Sequence, residues 1–124
     1  MRGQALVELA LILPLMLLLL LGAIDVGRLF YTYVGMQNAA REGATFAMTP
    51  TADGSVDLVG ITTAARQEMG GDPALGVQAA CDTTCRSATT AHGNTITVAV
   101  TYTFSFILPV PDWHLATWST AVIQ

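Results

Sequence analysis

The sequence predicts an α+β protein: a long N-terminal transmembrane α-helix packs on a small domain with a second helix and a short antiparallel β-sheet. Three observations predict it. The apolar excess lies mostly in the first 48 residues, no proline follows Pro14 until Pro50, and one later segment alternates apolar and polar residues. The chain has 124 residues, so one compact domain beside a membrane segment is its upper limit.

The membrane span is predicted from the uncharged run Leu9 to Ile24. Its 16 residues would form about 24 Å of helix, slightly less than a hydrocarbon core of about 30 Å. Counting from Gln4 gives a workable span and places Glu8 near one interface. Pro14 interrupts the run, and we expect it to kink the helix because a proline removes one helical hydrogen bond.

The helix is predicted to continue past the span to about residue 48. We therefore expect residues 4–48 to form one helix, with the span at about 5–24 and an extracytoplasmic half at 25–48. Asp25 and Arg28 are three residues apart, a spacing that allows an ion pair on a helix. The alternative is that they simply mark the membrane boundary.

Residues 49–124 are predicted to form the small extracytoplasmic α+β domain. Ser55 or Asp57 can cap a second helix that ends at Gly70-Gly71. Strands are predicted at 77–81, 95–107 and 115–123. The apolar face of the middle strand needs a cover, and the distal half of the long helix is the obvious one. We expect Trp113 and Trp118 to lie in the core.

Composition argues against nucleic acid as a partner. The net charge is −4, and all five basic residues are arginines scattered along the chain. Phosphate binding depends on clustered Lys and Arg. No catalytic, metal-binding or cofactor-binding motif is present, since His92 and His114 are isolated and no phosphate-binding loop or nucleophile elbow occurs. We therefore expect no enzyme, no metal and no cofactor.

The two cysteines, Cys81 and Cys85, lie close together in CDTTC. In an extracytoplasmic domain this spacing favours a short-loop disulfide. The alternative is a pair of free thiols. A zinc site would need two further ligands, which the sequence does not offer at motif spacing.

The N-terminal stretch, Gly3 followed by QALVE and an apolar helix, resembles the processing site of type IV prepilins. In that family a prepilin peptidase cuts after a glycine, and the fifth residue of the mature chain is a glutamate. The resemblance implies a leader at residues 1–3, a cut between Gly3 and Gln4, and Glu8 as the fifth mature residue.

A wider resemblance covers the first third of the chain. GQALVE, the proline in the span, D-x-G-R at Asp25 to Arg28 and QNAAREGA at Gln37 to Ala44 together resemble the N-terminal signature of TadE-like proteins. These are pseudopilins of the tight-adherence (Tad) pilus system. The resemblance implies a pilin-like fold and a structural component of pilus assembly for adherence or secretion. The resemblance marks Arg41 and Glu42 as part of the family signature but assigns them no role; the simplest interpretation is that this segment anchors the small domain onto the helix.

The resemblance also implies partners and a location: the membrane, the prepilin peptidase, and other pilin or pseudopilin subunits. The N-terminus would be cytoplasmic and the C-terminal domain extracytoplasmic, or in an extracellular pilus. A buried carboxylate is costly unless paired. The α-amine released at Gln4 could pair with Glu8 of a neighbouring subunit, so that Glu8 sets the filament register.

Two other functions are compatible with the sequence. The chain could be a major pilus subunit, which abundance in sheared surface fibres would decide. It could instead be a single-pass, membrane-anchored binding module that grips a ligand outside the cell, a function that needs no processing of the N-terminus.

Overall fold

The computed structural model describes residues 2–49, 51, 55–81 and 93–124. In these ranges the chain forms two helices and three strands, and the predicted α+β class is confirmed. Their bounds are α1 Arg2–Ala47, α2 Leu58–Glu68, β1 Gly76–Cys81, β2 Thr95–Phe104 and β3 Trp113–Val122.

Helix α1 is continuous through Pro14 and has 46 residues. At about 1.5 Å per residue it is about 69 Å long. Every residue from Gly3 to Leu21 is exposed, so this half of the helix packs against nothing in the described chain. By length and composition α1 could cross a membrane. Its distal half, by contrast, carries much of the protein's core.

Helix α2 begins and ends as its sequence predicts. The Asp57 carboxylate accepts a hydrogen bond of 2.9 Å from the Gly60 backbone N–H, which satisfies one of the free donors at the helix start. At the other end Gly70 and Gly71 have φ values of 70° and 78°. This left-handed backbone favours glycine, and it turns the chain away from α2 toward β1.

The sheet is an antiparallel meander in the order β1-β2-β3. β2 lies in the middle, and Val100 is opposite both Val77 of β1 and Thr117 of β3. Side chains of β2 alternate between a buried and a more exposed face, as its sequence predicts. β2 ends at Phe104, three residues before the predicted end at Ile107.

The core lies between the buried face of the sheet, α2 and the distal half of α1. It contains mainly small and β-branched side chains: Met36, Ala39, Ala40, Ala44, Ala47, Ile61, Ala65, Leu75, Ile96, Val98, Val100, Ala121 and Ile123. The predicted cover of the sheet by α1 is therefore confirmed. Gly43 permits the close approach, since a Cβ there would lie 3.1 Å from Val98 Cγ1 and 3.4 Å from the Ala65 Cβ.

The two tryptophans are not core residues, so that prediction is wrong. Trp113 is 54% exposed and Trp118 is 70% exposed. Trp118 lies on the outward, even-numbered face of β3, whereas Trp113, the first residue of the strand, lies beside α1 at Val26 and Phe30 and is only partly covered there.

Candidate membrane and assembly site on the long helix

Asp25 is the most unusual side chain of α1. It is only 2% exposed, and it is the buried charged residue of the described core. Its carboxylate accepts hydrogen bonds from the backbone N–H of Ile107, 3.0 Å from each oxygen, and from the N–H of Leu108, also at 3.0 Å. Charge-assisted bonds of this kind are the strong ones, and they join the end of the apolar run to the segment between β2 and β3.

Arg28 completes the surroundings of Asp25. Its guanidinium lies 3.2 Å from Asp25 Oδ1, so the predicted ion pair is present. The same group lies over the ring of Phe104, 5.2 Å from the centroid, at cation–π distance. The Asp25 charge is thus compensated by one cation and by backbone donors, which is what a carboxylate buried in an apolar setting requires.

The backbone donors explain why β2 stops early. Ile107 and Leu108 point their N–H groups at Asp25 instead of continuing the sheet ladder. An edge-to-face series of rings, Phe104 to Phe106 at 5.0 Å and Phe106 to Trp113 at 5.3 Å, continues from this point. Trp113 then borders a groove of about 280 Å³, whose other walls are Val26, Leu29, Phe30, Tyr33 and Leu115.

The proposed processing site lies on the exposed half of α1. Gly3, Gln4, Glu8 and Pro14 are all helical and exposed. Glu8 makes no ion pair with the described part of the chain, and the helix around it is covered by neither sheet nor α2. A carboxylate in this position is available to a partner outside the chain. The kink at Pro14 and the cut after Gly3 stay predictions.

The segment QNAAREGA is the part of α1 that packs on the small domain. Its small residues do the packing: Ala39, Ala40 and Ala44 are almost fully buried, and Gly43 faces Val98. Arg41 and Glu42 are exposed. The segment does anchor the small domain, through the alanine and glycine face beside these two charges.

Cys81 ends β1 and is half-buried against the core. Cys85 and His92 lie outside the described residues, so the Cys81–Cys85 disulfide stays a prediction. Within the described ranges no three of His, Cys, Asp and Glu lie close enough together to hold a metal ion. His114 contacts the Thr103 hydroxyl across the sheet, with Nδ1 3.1 Å from Oγ1.

Sequence reasoning predicted Asp25 and Arg28 as a pair but missed the third member of the site. The backbone donors of Ile107 and Leu108 are more than 80 positions away along the chain. A signal does exist in LPVPDW, where two prolines end a strand and leave free donors beside them. That signal says nothing about which acceptor they meet.

Comparison with known families agrees with this geometry. Residues 3–45 match the family model described as TadE-like protein. The long helix is therefore similar to that of TadE-like proteins. The match covers the exposed half with Glu8, the Asp25–Arg28 pair and the QNAAREGA face, and so confirms the resemblance predicted from the sequence. The match does not extend to α2 and the sheet. No curated protein and no solved structure matches the chain significantly.

The match has functional consequences at a coarse level. TadE-like proteins are structural components associated with Tad pili, and the helix that matches is long and apolar enough to cross a membrane. The chain is therefore similar to pilus-associated proteins over this helix, which by length and composition fits a single membrane span.

Proposed function

We propose that this chain is a TadE-like pseudopilin: a structural, non-catalytic component in the assembly of a Tad-type pilus used for adherence or secretion. The observation that carries the proposal is the family match over residues 3–45. In this proposal α1 anchors the subunit in the membrane and then packs against α1 of other subunits. The C-terminal unit lies on the extracytoplasmic side.

The burial pattern of α1 supports this role. A helix that is apolar all round and bare over Gly3 to Leu21 needs either lipid or other helices around it. A pseudopilin meets both needs in turn, lipid before assembly and neighbouring helices after it. The distal half is already occupied by its own domain, so assembly contacts would concentrate on the N-terminal half.

Glu8 would act on the register of assembly. A prepilin peptidase would cut between Gly3 and Gln4 and release an α-amine at Gln4. In a correctly placed neighbour that amine could meet the Glu8 carboxylate, whereas a misplaced subunit would leave the charge unpaired at a cost of several kcal/mol. Glu8 would therefore select alignment, as single buried polar groups do in coiled coils.

The test is a pair of matched substitutions, Glu8→Gln and Glu42→Gln, expressed in the native host. Both residues are exposed glutamates of α1, one on the bare half and one beside the packed face. We expect Glu8→Gln to lower the fraction of the protein found in pili or assembly complexes, relative to the membrane pool, while Glu42→Gln leaves it unchanged. Equal incorporation of the two variants would contradict the register role.

A further inference from the structure

We propose that residues 106–113, named here the apolar loop, are seated in the lipid bilayer beside the end of the membrane span. The occupant of this surface is lipid, in the leaflet that faces the C-terminal unit. The proposal needs α1 to span a membrane but does not depend on the pilus role, and it concerns a part of the chain outside the family match.

The loop lies beside the end of the membrane span on α1. Leu108 contacts the helix at Gly22, where a Cβ would lie 3.9 Å from Leu108 Cδ1. The N–H groups of Ile107 and Leu108 are bonded to Asp25, one turn further on. The tip of the loop therefore lies level with the last turn of the uncharged run, where a bilayer around the helix would also surround the loop.

The backbone N–H groups of residues 107–111 are suited to an environment without water. Buried in lipid, an unbonded N–H costs several kcal/mol. The N–H groups of Ile107 and Leu108 bind Asp25, and that of Val110 donates to the Leu108 carbonyl at 2.7 Å. The two residues between and after them, Pro109 and Pro111, have no N–H. From 107 to 111 no donor is left without an acceptor.

Apolar side chains of the loop and of the adjacent turn of α1 are exposed. Ile107 is 55% exposed, Val110 47% and Trp113 54%, and Phe30 on the neighbouring turn of α1 is 69% exposed. Together they extend the bare apolar surface of α1 sideways onto the domain. In water such a continuous patch is unfavourable, whereas in a bilayer these side chains fit and the aromatic rings favour the interface.

Enclosure of Asp25 by the loop allows the embedded helix to extend further on this side of the membrane than the uncharged run alone. Leu9 to Ile24 alone is about 24 Å long, below the roughly 30 Å of a hydrocarbon core. If Asp25 is enclosed by the loop and paired with Arg28, the embedded helix can extend to Phe30, which gives about 33 Å at ~1.5 Å per residue. Arg28 and Asp112 are exposed at this level, where long or terminal charges can reach the headgroups.

Lipid is favoured over a second copy of the chain because the loop continues the surface of the membrane span itself. The natural tryptophans provide the probe and its control. β3 runs from Trp113, beside Val26 and Phe30, toward the Met48 end of α1, where the Gln124 N–H donates to the Met48 carbonyl. Trp118 is five residues further along, about 16 Å at ~3.3 Å per residue.

The experiment uses the full chain in two single-tryptophan forms, Trp118→Phe and Trp113→Phe, reconstituted in phosphatidylcholine vesicles with brominated acyl chains. Bromine quenches tryptophan only on close approach. We expect Trp113 to lose much of its fluorescence and Trp118 to keep nearly all of it. Equal quenching of both, or none at Trp113, would overturn the proposal. If Trp113 is quenched only after the protein is diluted with excess lipid, a second copy of the chain covers the loop at higher protein density. The surface would then be an interface between copies instead.

A second pair of variants tests whether the apolar loop itself is inserted in the bilayer, and not only where Trp113 lies. In the Trp118→Phe background, Val110→Asp places a charge on the loop, and Val122→Asp places the same charge on an equally exposed valine at the far end of β3. We expect only Val110→Asp to reduce the quenching of Trp113. A reduction of the same size in both variants, or in neither, would contradict the seating.

Discussion

Asp25 shows how one side chain links membrane helix and folded domain. It is nearly fully buried, and it satisfies two backbone donors that would otherwise have no acceptor. Its pairing with Arg28 is secondary, since the guanidinium side chain is 46% exposed and is shared with the Phe104 ring. Removing the carboxylate should therefore cost more than removing the cation.

We predict that Asp25→Asn destabilises the C-terminal unit by about 1–3 kcal/mol, because one carboxylate oxygen becomes an NH2 donor that opposes the neighbouring donors, and the bonds from the Ile107 and Leu108 N–H groups lose their charge assistance. Arg28→Gln should cost at most about 1 kcal/mol, since a half-exposed ion pair contributes little. Equilibrium chemical unfolding of the protein in detergent, followed by the β-sheet signal in circular dichroism, measures both. If the two variants unfold at the same denaturant concentration, the role assigned to Asp25 is wrong.

At the scale of elements, α1 is one helix with two kinds of surface. The side chains of its first half are large and apolar on all sides, whereas its distal half presents alanines and a glycine to the domain. Small side chains let the helix lie close to α2 and β2, so the fit depends on volume more than on charge. Among the glycines of α1, Gly43 has the least room for a side chain.

We predict that Gly43→Val destabilises the domain by about 1–3 kcal/mol through overpacking against Val98 and Ala65. Gly27→Val is the matched control, because a Cβ at Gly27 meets nothing within 4 Å. Both changes have the same effect on helix propensity, so the difference in unfolding free energy reports packing. A loss of stability as large at Gly27 as at Gly43 would contradict this account of the interface.

The elements themselves could be predicted from sequence because each has a local pattern. The uncharged run predicts the bare half of α1, Asp57 and Gly70-Gly71 delimit α2, and alternation from Thr95 predicts β2. What the pattern could not predict was the end of β2, since it depends on Asp25, far away along the chain. The exposure of the two tryptophans was not predicted either, because an aromatic side chain in a strand fits a core or an exposed face equally well.

At the scale of the whole molecule, the protein combines a stable small domain with a bare helix that needs partners. The domain encloses the distal half of α1, while Gly3 to Leu21 remain exposed to whatever surrounds them. Lipid can cover this surface in the membrane, and other subunits would cover it in an assembly. Processing at Gly3 would favour the cover by other subunits, because it creates an α-amine that could pair with the Glu8 carboxylate of a neighbour.

The most direct measurement is the intact mass and N-terminal sequence of the protein isolated from native membranes. The proposed role predicts a chain that begins at Gln4 and lacks the mass of Met1, Arg2 and Gly3. A prepilin peptidase acting in those membranes would be confirmed by loss of processing in Gly3→Leu. A mature chain that keeps Met1 would contradict the pseudopilin account and favour a membrane-anchored binding module.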